Sequence, residues 1–162
     1  MRKRLFLLVL CFLLTGCSTA DTFETLGQIQ HQQENPVRSS SICISLPDSA
    51  AAETFGGQEL VYDCDGYTLA LQTLSAGDLE ATVQSLSGFD LEKLTVMESR
   101  AGEYKRYDWV WTAAGSEGQL LCRAAVLDDG NYHYCVYTMA PAAKAGELTQ
   151  QWNAIFGSLE LD

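Results

Sequence analysis

Histidine is the scarcest chemistry-bearing residue in this chain of 162; there are two, His31 and His133. General acid–base work and metal binding draw heavily on imidazole, so two histidines narrow the enzyme classes open to the protein. Glycine-rich phosphate loops, H-E-x-x-H and G-x-S-x-G are missing, which counts against the common nucleotide users and hydrolases. Cys43, Cys64, Cys122 and Cys135 show no C-x-x-C spacing, so neither a zinc knuckle nor a thioredoxin-type motif is indicated. Asp128-Asp129-Gly130-Asn131 lacks the alternating carboxylates and distant glutamate of a calcium loop and reads as a hairpin turn. No cofactor or metal is expected. No internal repeat occurs.

Cations are scarce in the part that folds. Of ten Lys and Arg residues, three stand at positions 2–4, leaving seven against 21 acidic residues over positions 17–162, a charge of about −14. Such a surface is repelled by phosphate backbones, which argues against nucleic acid, and by anionic head groups, which argues against a second membrane contact. A basic partner is compatible with it.

What is present begins at the N-terminus. Arg2, Lys3 and Arg4 precede an unbroken apolar run of ten residues, Leu5–Leu14. That run is half the roughly 20 residues needed to span a bilayer, and with its basic start it describes an export signal. Its ending, Leu14-Thr15-Gly16-Cys17, resembles the lipobox of bacterial lipoproteins: an aliphatic residue, two small residues and a cysteine. The resemblance implies that the Cys17 thiol receives a diacylglycerol and that cleavage makes Cys17 the new N-terminus. Residues 1–16 are then a signal peptide, and Cys11 leaves with it. Several acyl chains on one residue suffice for stable attachment, placing the protein on the extracytoplasmic face of a cell membrane.

Positions 17–41 are rich in Ser, Thr, Gln and Asn and read as a flexible tether, in which Phe23, Leu26 and Ile29 could make one docking turn of helix. Residues 42–162 read as one α+β domain. Ile42–Leu46 is a short apolar strand, and Ser49–Gly57 a loop or weak helix. Leu60–Cys64 and Tyr67–Leu74 form a hairpin about Asp65-Gly66, where both turn positions favour positive φ. Ser75-Ala76-Gly77-Asp78 suggests a capping box before a helix with Leu79, Val83 and Leu86 on one face, stopped by Gly88. After a turn at Asp90–Leu94 come strands at Thr95–Arg100, Tyr104–Thr112, Gln119–Leu127 and Tyr132–Met139. A second helix buries Ala145, Leu148, Trp152, Ile155 and Phe156, and a last strand runs over Ser158–Leu161. This order predicts an antiparallel sheet covered by helices. The strand Tyr132–Pro141, the amphipathic helix and the ending Phe156-Gly157-Ser158-Leu159 resemble the C-terminal part of PsbP-like domains, implying an α/β/α sandwich and an accessory or assembly role. The whole precursor also resembles small lipoproteins of Gram-positive anaerobes.

Three constellations could carry function. His133 and Cys135 alternate onto one strand face, where imidazole can favour thiolate; packed or bridged, the cysteine is inert. Cys122 and Cys135 form a disulfide if the Asp129-Gly130 turn closes 126 against 131; a one-residue slip forbids it, and buried thiols are the competing reading. Tyr107, Trp109 and Trp111 share a strand face, making an aromatic platform for a partner if exposed, or core beneath the C-terminal helix with Trp152. A solute-binding clamp is excluded by size, since 146 residues remain after position 16. The sequence thus points to a lipid-anchored, non-catalytic binding or accessory module for another envelope component. An extracytoplasmic enzyme using Cys135 and His133, or an acidic pocket, is the alternative.

Overall fold

The computed structural model describes residues 39–53 and 59–162. The signal peptide over 1–16, the lipidated Cys17, the docking turn at Phe23–Ile29 and most of the 17–41 tether lie outside the described residues.

The chain opens with short strands β1 (Ile42–Cys43) and β2 (Ala51–Glu53), then β3 (Glu59–Cys64) and β4 (Tyr67–Ser75). Cys64 pairs with Tyr67, so Asp65-Gly66 is a two-residue hairpin loop, and Gly66 takes the φ of 86° that the turn demands. Helix α1 (Leu79–Ser87) follows. Its cap is Asp78, whose carboxylate accepts from the Glu80 N–H at 3.1 Å; Ser75, expected to start a capping box, is instead the last residue of β4. Gly88 closes the helix with φ 76° and donates its N–H to the Gln84 carbonyl. A 3₁₀ turn at Leu91–Lys93 leads to β5 (Met97–Ala101), β6 (Tyr104–Gly115), β7 (Gly118–Asp128) and β8 (Tyr132–Pro141). A second 3₁₀ turn, Ala142–Lys144, precedes helix α2 (Ala145–Gly157) and strand β9 (Glu160–Leu161). The expected loop or weak helix at Ser49–Gly57 is corrected by β2, whose Ala51 and Glu53 face Asp63 and Val61 of β3.

Seven strands form one sheet in the order β2-β3-β4-β8-β7-β6-β5, every pair antiparallel. The chain leaves β4 near the middle, crosses one face as α1, lands at the far edge as β5 and meanders back until β8 pairs with β4. The separate β1–β9 pair joins the domain's two ends, and the Asp162 N–H donates to the Ser41 carbonyl.

Period-two alternation sorts the strand residues between two cores. Under α2 lie Tyr67, Leu69, Leu71, Leu127, Tyr134 and Val136, capped by Leu148, Trp152, Ile155 and Phe156. Under α1 lie Tyr107, Trp109, Trp111, Cys122, Ala124, Val126 and Cys135, capped by Val83. Large faces small along this second core: Trp109 pairs with Ala124 and Trp111 with Cys122. The small side chains of β7 leave room for the indoles, which stack with centroids 6.3 Å apart. The aromatic stripe is therefore core, but not beneath the C-terminal helix. The β4-to-β5 crossover carries α1 over it, while Trp152 packs on the opposite face against Tyr67.

Candidate functional site

His133 and Cys135 do share the α1 face, and the fold seals both. Cys135 has no exposure, and burial pushes its thiol up to about 12, so it stays protonated at neutral pH. His133, 2% exposed, turns to other partners. Its Nδ1 shares a 2.7 Å hydrogen bond with the Thr82 hydroxyl of α1, and its Nε2 stands 3.9 Å from the Asp128 carboxylate. Thr82 is 4% exposed, so the Thr82–His133 pair is closed to substrate and ties α1 to the sheet. Thr82 was not legible as a partner because it lies 51 residues away. Asp128 was closer to view, since the β7–β8 register sets it opposite His133.

The Cys122–Cys135 bridge is not made. Asp128 pairs with His133, so Cys135 faces Val126 and Cys122 faces Met139. The two cysteines remain on one face but four residues out of register. At about 3.4 Å per residue that is roughly 13 Å, well past the ~7 Å Cα reach of a disulfide. Cys43, Cys64, Cys122 and Cys135 are all free. Burial raises the Cys122 thiol to about 11.

Tyr107, Trp109 and Trp111 are 7%, 1% and 6% exposed, which removes the aromatic platform. The exposed apolar surface lies beside it. Val110, on the opposite pleat between the two tryptophans, is 52% exposed, with Met97 at 65% and Phe89 at 38%. These residues gather at one corner because β5 ends early: Met97 pairs with Asp108, and among the described residues no strand pairs the outer edge of β6 beyond that point. A cavity of about 420 Å³ opens there, lined by Phe89, Leu94, Val110, Trp111 and Leu121, with Lys93 also on its wall. Next to it on the α2 face, Arg106 grips Asp108 through two bonds of 2.7 and 3.0 Å. Arg123 lies over the Phe156 ring at 4.3 Å and donates to the Asn153 side chain at 2.7 Å. Burial lowers the pKa of the Arg123 guanidinium; the Asp108 charge opposes that effect and Arg106 adds to it.

A cavity of about 500 Å³ sits where the β5–β6 and β7–β8 turns meet and is lined by Arg100, Glu103, Tyr104, Lys105, Asp128 and Asp129. Its lining mixes the carboxylates of Glu103, Asp128 and Asp129 with the cations Arg100 and Lys105, and Asp129 is committed to the turn. Asp129 accepts from the backbone N–H groups of Asn131 and Tyr132 and from the Tyr134 hydroxyl, at 2.7, 2.7 and 2.8 Å. Burial raises its pKa, but these donors outweigh it and hold the carboxyl below the usual range. A group so held is a poor proton acceptor near neutrality. Asp128 likewise accepts from the Gly130 N–H at 2.7 Å, as a hairpin turn requires. Among the described residues, no cluster of three or more His, Cys, Asp and Glu could hold a metal ion.

No protein-family model matches the chain, and no curated protein matches it. Solved structures do. Cyanobacterial PsbP (CyanoP) from Synechocystis aligns with a TM-score of 0.55 at 8% identity, over 78% of this chain and 95% of its own. LpqN, described as involved in cell envelope biogenesis of Mycobacterium tuberculosis, aligns with a TM-score of 0.52 at 12% identity, over 76% of this chain and 84% of its own. A longer protein from Bacteroides thetaiotaomicron aligns with a TM-score of 0.52 at 7% identity, over 75% of this chain but 45% of its own. At these identities the likeness is one of fold. The chain, an antiparallel sheet with a short crossover helix on one face and a C-terminal helix on the other, has the PsbP-like α+β fold.

Proposed function

We propose that this chain is a lipoprotein of the bacterial cell envelope, anchored through Cys17, whose domain docks another envelope component without catalysing a reaction. The observation that carries the docking reading is the exposed apolar corner of Phe89, Met97 and Val110 at the end of the sheet. Apolar side chains gathered at one place on a small domain mark an interaction site, whereas scattered ones are ordinary. The enzyme alternative loses ground because Cys135, its nucleophile, is sealed and held as a thiol. The lipobox resemblance of Leu14-Thr15-Gly16-Cys17 supports the anchor, and the fold shared with LpqN, itself tied to cell envelope biogenesis, is compatible with that address. A tether of about two dozen residues lets the domain reach partners standing clear of the bilayer.

Two experiments test this reading. Replacing Cys17 by Ala should move the protein from the membrane to the soluble fraction, and unchanged membrane association refutes the anchor. Chemical crosslinking of the tagged native protein in intact cells should yield a discrete adduct with an envelope protein. A chain that crosslinks to nothing discrete, while its purified form turns over a substrate, refutes the docking role.

A further inference from the structure

The β6 strand runs over Tyr104–Gly115, but β5 covers only its first part, up to the Met97–Asp108 pair. On its outer side the stretch Trp109–Gly115 pairs with nothing among the described residues, while its inner side is held by β7 along its whole length. Alternate residues there present unpaired N–H and C=O groups, a template for one more strand of up to seven residues, about 23 Å long. Natural edges are usually blunted by charge, proline or brevity. The far edge follows that rule: β2 is three residues long and carries Glu53. β5 carries Glu98 and Arg100. Trp109-Val110-Trp111-Thr112-Ala113-Ala114-Gly115 has no charge and no proline. Beside this bare edge lies the cavity of about 420 Å³, with Phe89 and Leu94 on one wall and Val110 and Leu121 on the other. An added strand would thus find apolar pockets for the side chains on both of its faces.

We infer that the outer edge of β6 is a strand-addition site for an extended segment of another protein, alternately apolar and flanked by basic residues. The inference rests on the docking reading above and says where and how docking occurs. Charge selects the occupant. The stretch itself is neutral and the cations beside it are paired, Lys93 with Asp90 and Arg106 with Asp108, so the long-range field comes from the rest of positions 17–162, at about −14. That field repels a second copy of the chain and attracts cationic flanks. Main-chain pairing supplies affinity, and the pockets beside Phe89 and Val110 favour apolar side chains at alternate positions.

The test uses the full chain in mild detergent and a fluorescein-labelled peptide of seven alternating valines and threonines between paired lysines. The same peptide between paired glutamates is the comparison. The lysine peptide should bind saturably by anisotropy and slow amide exchange at positions 110–114. The glutamate peptide, and the lysine peptide on V110E or F89D, should bind at least tenfold more weakly, with L60E at the opposite end of the sheet unchanged. Val110, Phe89 and Leu60 are all exposed, and tryptophan fluorescence verifies folding of each variant. The inference is overturned if no peptide saturates, if V110E and F89D bind like the parent, if the glutamate peptide binds equally, or if L60E is as damaging. A concentration-dependent dimer dissolved by V110E also overturns it, by giving the edge to a second copy. An in-cell adduct undiminished in V110E leaves the docking reading standing and removes this edge from it.

Discussion

The tie between Thr82 and His133 predicts a stability effect that a double-mutant cycle can isolate. Both side chains are buried, at 4% and 2% exposure, and their bond of 2.7 Å is a polar link from α1 to the middle of the sheet. Thr82→Val keeps the volume and costs little helix propensity, since Thr and Val rank together in helices. It leaves one imidazole nitrogen buried without its partner, which costs about 1–3 kcal/mol. His133→Leu alone removes the ring and its approach to Asp128, and strands the Thr82 hydroxyl. In the double variant both polar groups are gone, so the loss should fall short of the two single losses added together, by about 1 kcal/mol or more. Equilibrium urea unfolding followed by tryptophan fluorescence measures all four proteins. In a domain of this size Thr82→Val should also lower Tm by about 4 °C per kcal/mol. Strictly additive losses, or a Thr82→Val protein within about 0.5 kcal/mol of the parent, would show that the bond does not hold α1 in place.

Other predictions follow from the same geometry. Cys135 and Cys122, with thiols raised to about 12 and about 11, should resist iodoacetamide at pH 8 in the native protein and react once it is unfolded in urea; rapid native labelling of Cys135 would contradict its burial. The intact mass should not change on reduction, because all four described cysteines are free. Tryptophan emission should be blue-shifted and little quenched by acrylamide, since Trp109, Trp111 and Trp152 are 1%, 6% and 4% exposed. Asp129→Ala should cost about 1–2 kcal/mol at pH 7 through three lost hydrogen bonds. Because the folded pKa of Asp129 is depressed, its stabilising effect is full above the unfolded carboxyl value and lost as pH falls through the folded one. The gap between parent and variant in urea titrations should therefore shrink in acid, below about pH 4, and a gap constant down to pH 2 would contradict the assignment.

Local chemistry made much of this domain readable from its residues. Asp65-Gly66 demands a tight hairpin whatever surrounds it, because glycine alone takes φ 86° without strain. Gly88 ends α1 for the same reason, and the stripe Leu148, Trp152, Ile155, Phe156 commits α2 to burying one side. Alternation likewise put Tyr107, Trp109 and Trp111 on a common face. Period two sorts side chains between the sides of a sheet, however, without saying which helix covers which side. That depended on the β4-to-β5 crossover, which laid α1 over the aromatic stripe and left Trp152 on the other core.

The candidate site shows the same division more sharply. Whether Cys122 meets Cys135 turned on hairpin register, and a four-residue displacement along β7 separated thiols that composition alone could have paired. His133 looked like a partner for Cys135 because they are two residues apart. In three dimensions a hydroxyl from α1 bonds the imidazole instead, and a carboxylate from β7 stands 3.9 Å from its other nitrogen. The open edge of β6 has no signature in the chain, since Tyr104–Thr112 reads as an ordinary strand and only the length of β5 exposes it. Residue by residue, the sequence determined turns, helix ends and the two-sided patterning of strands, all set by backbone preference and side-chain period. Tertiary structure decided strand order, register and coverage, because those depend on contacts between residues far apart along the chain.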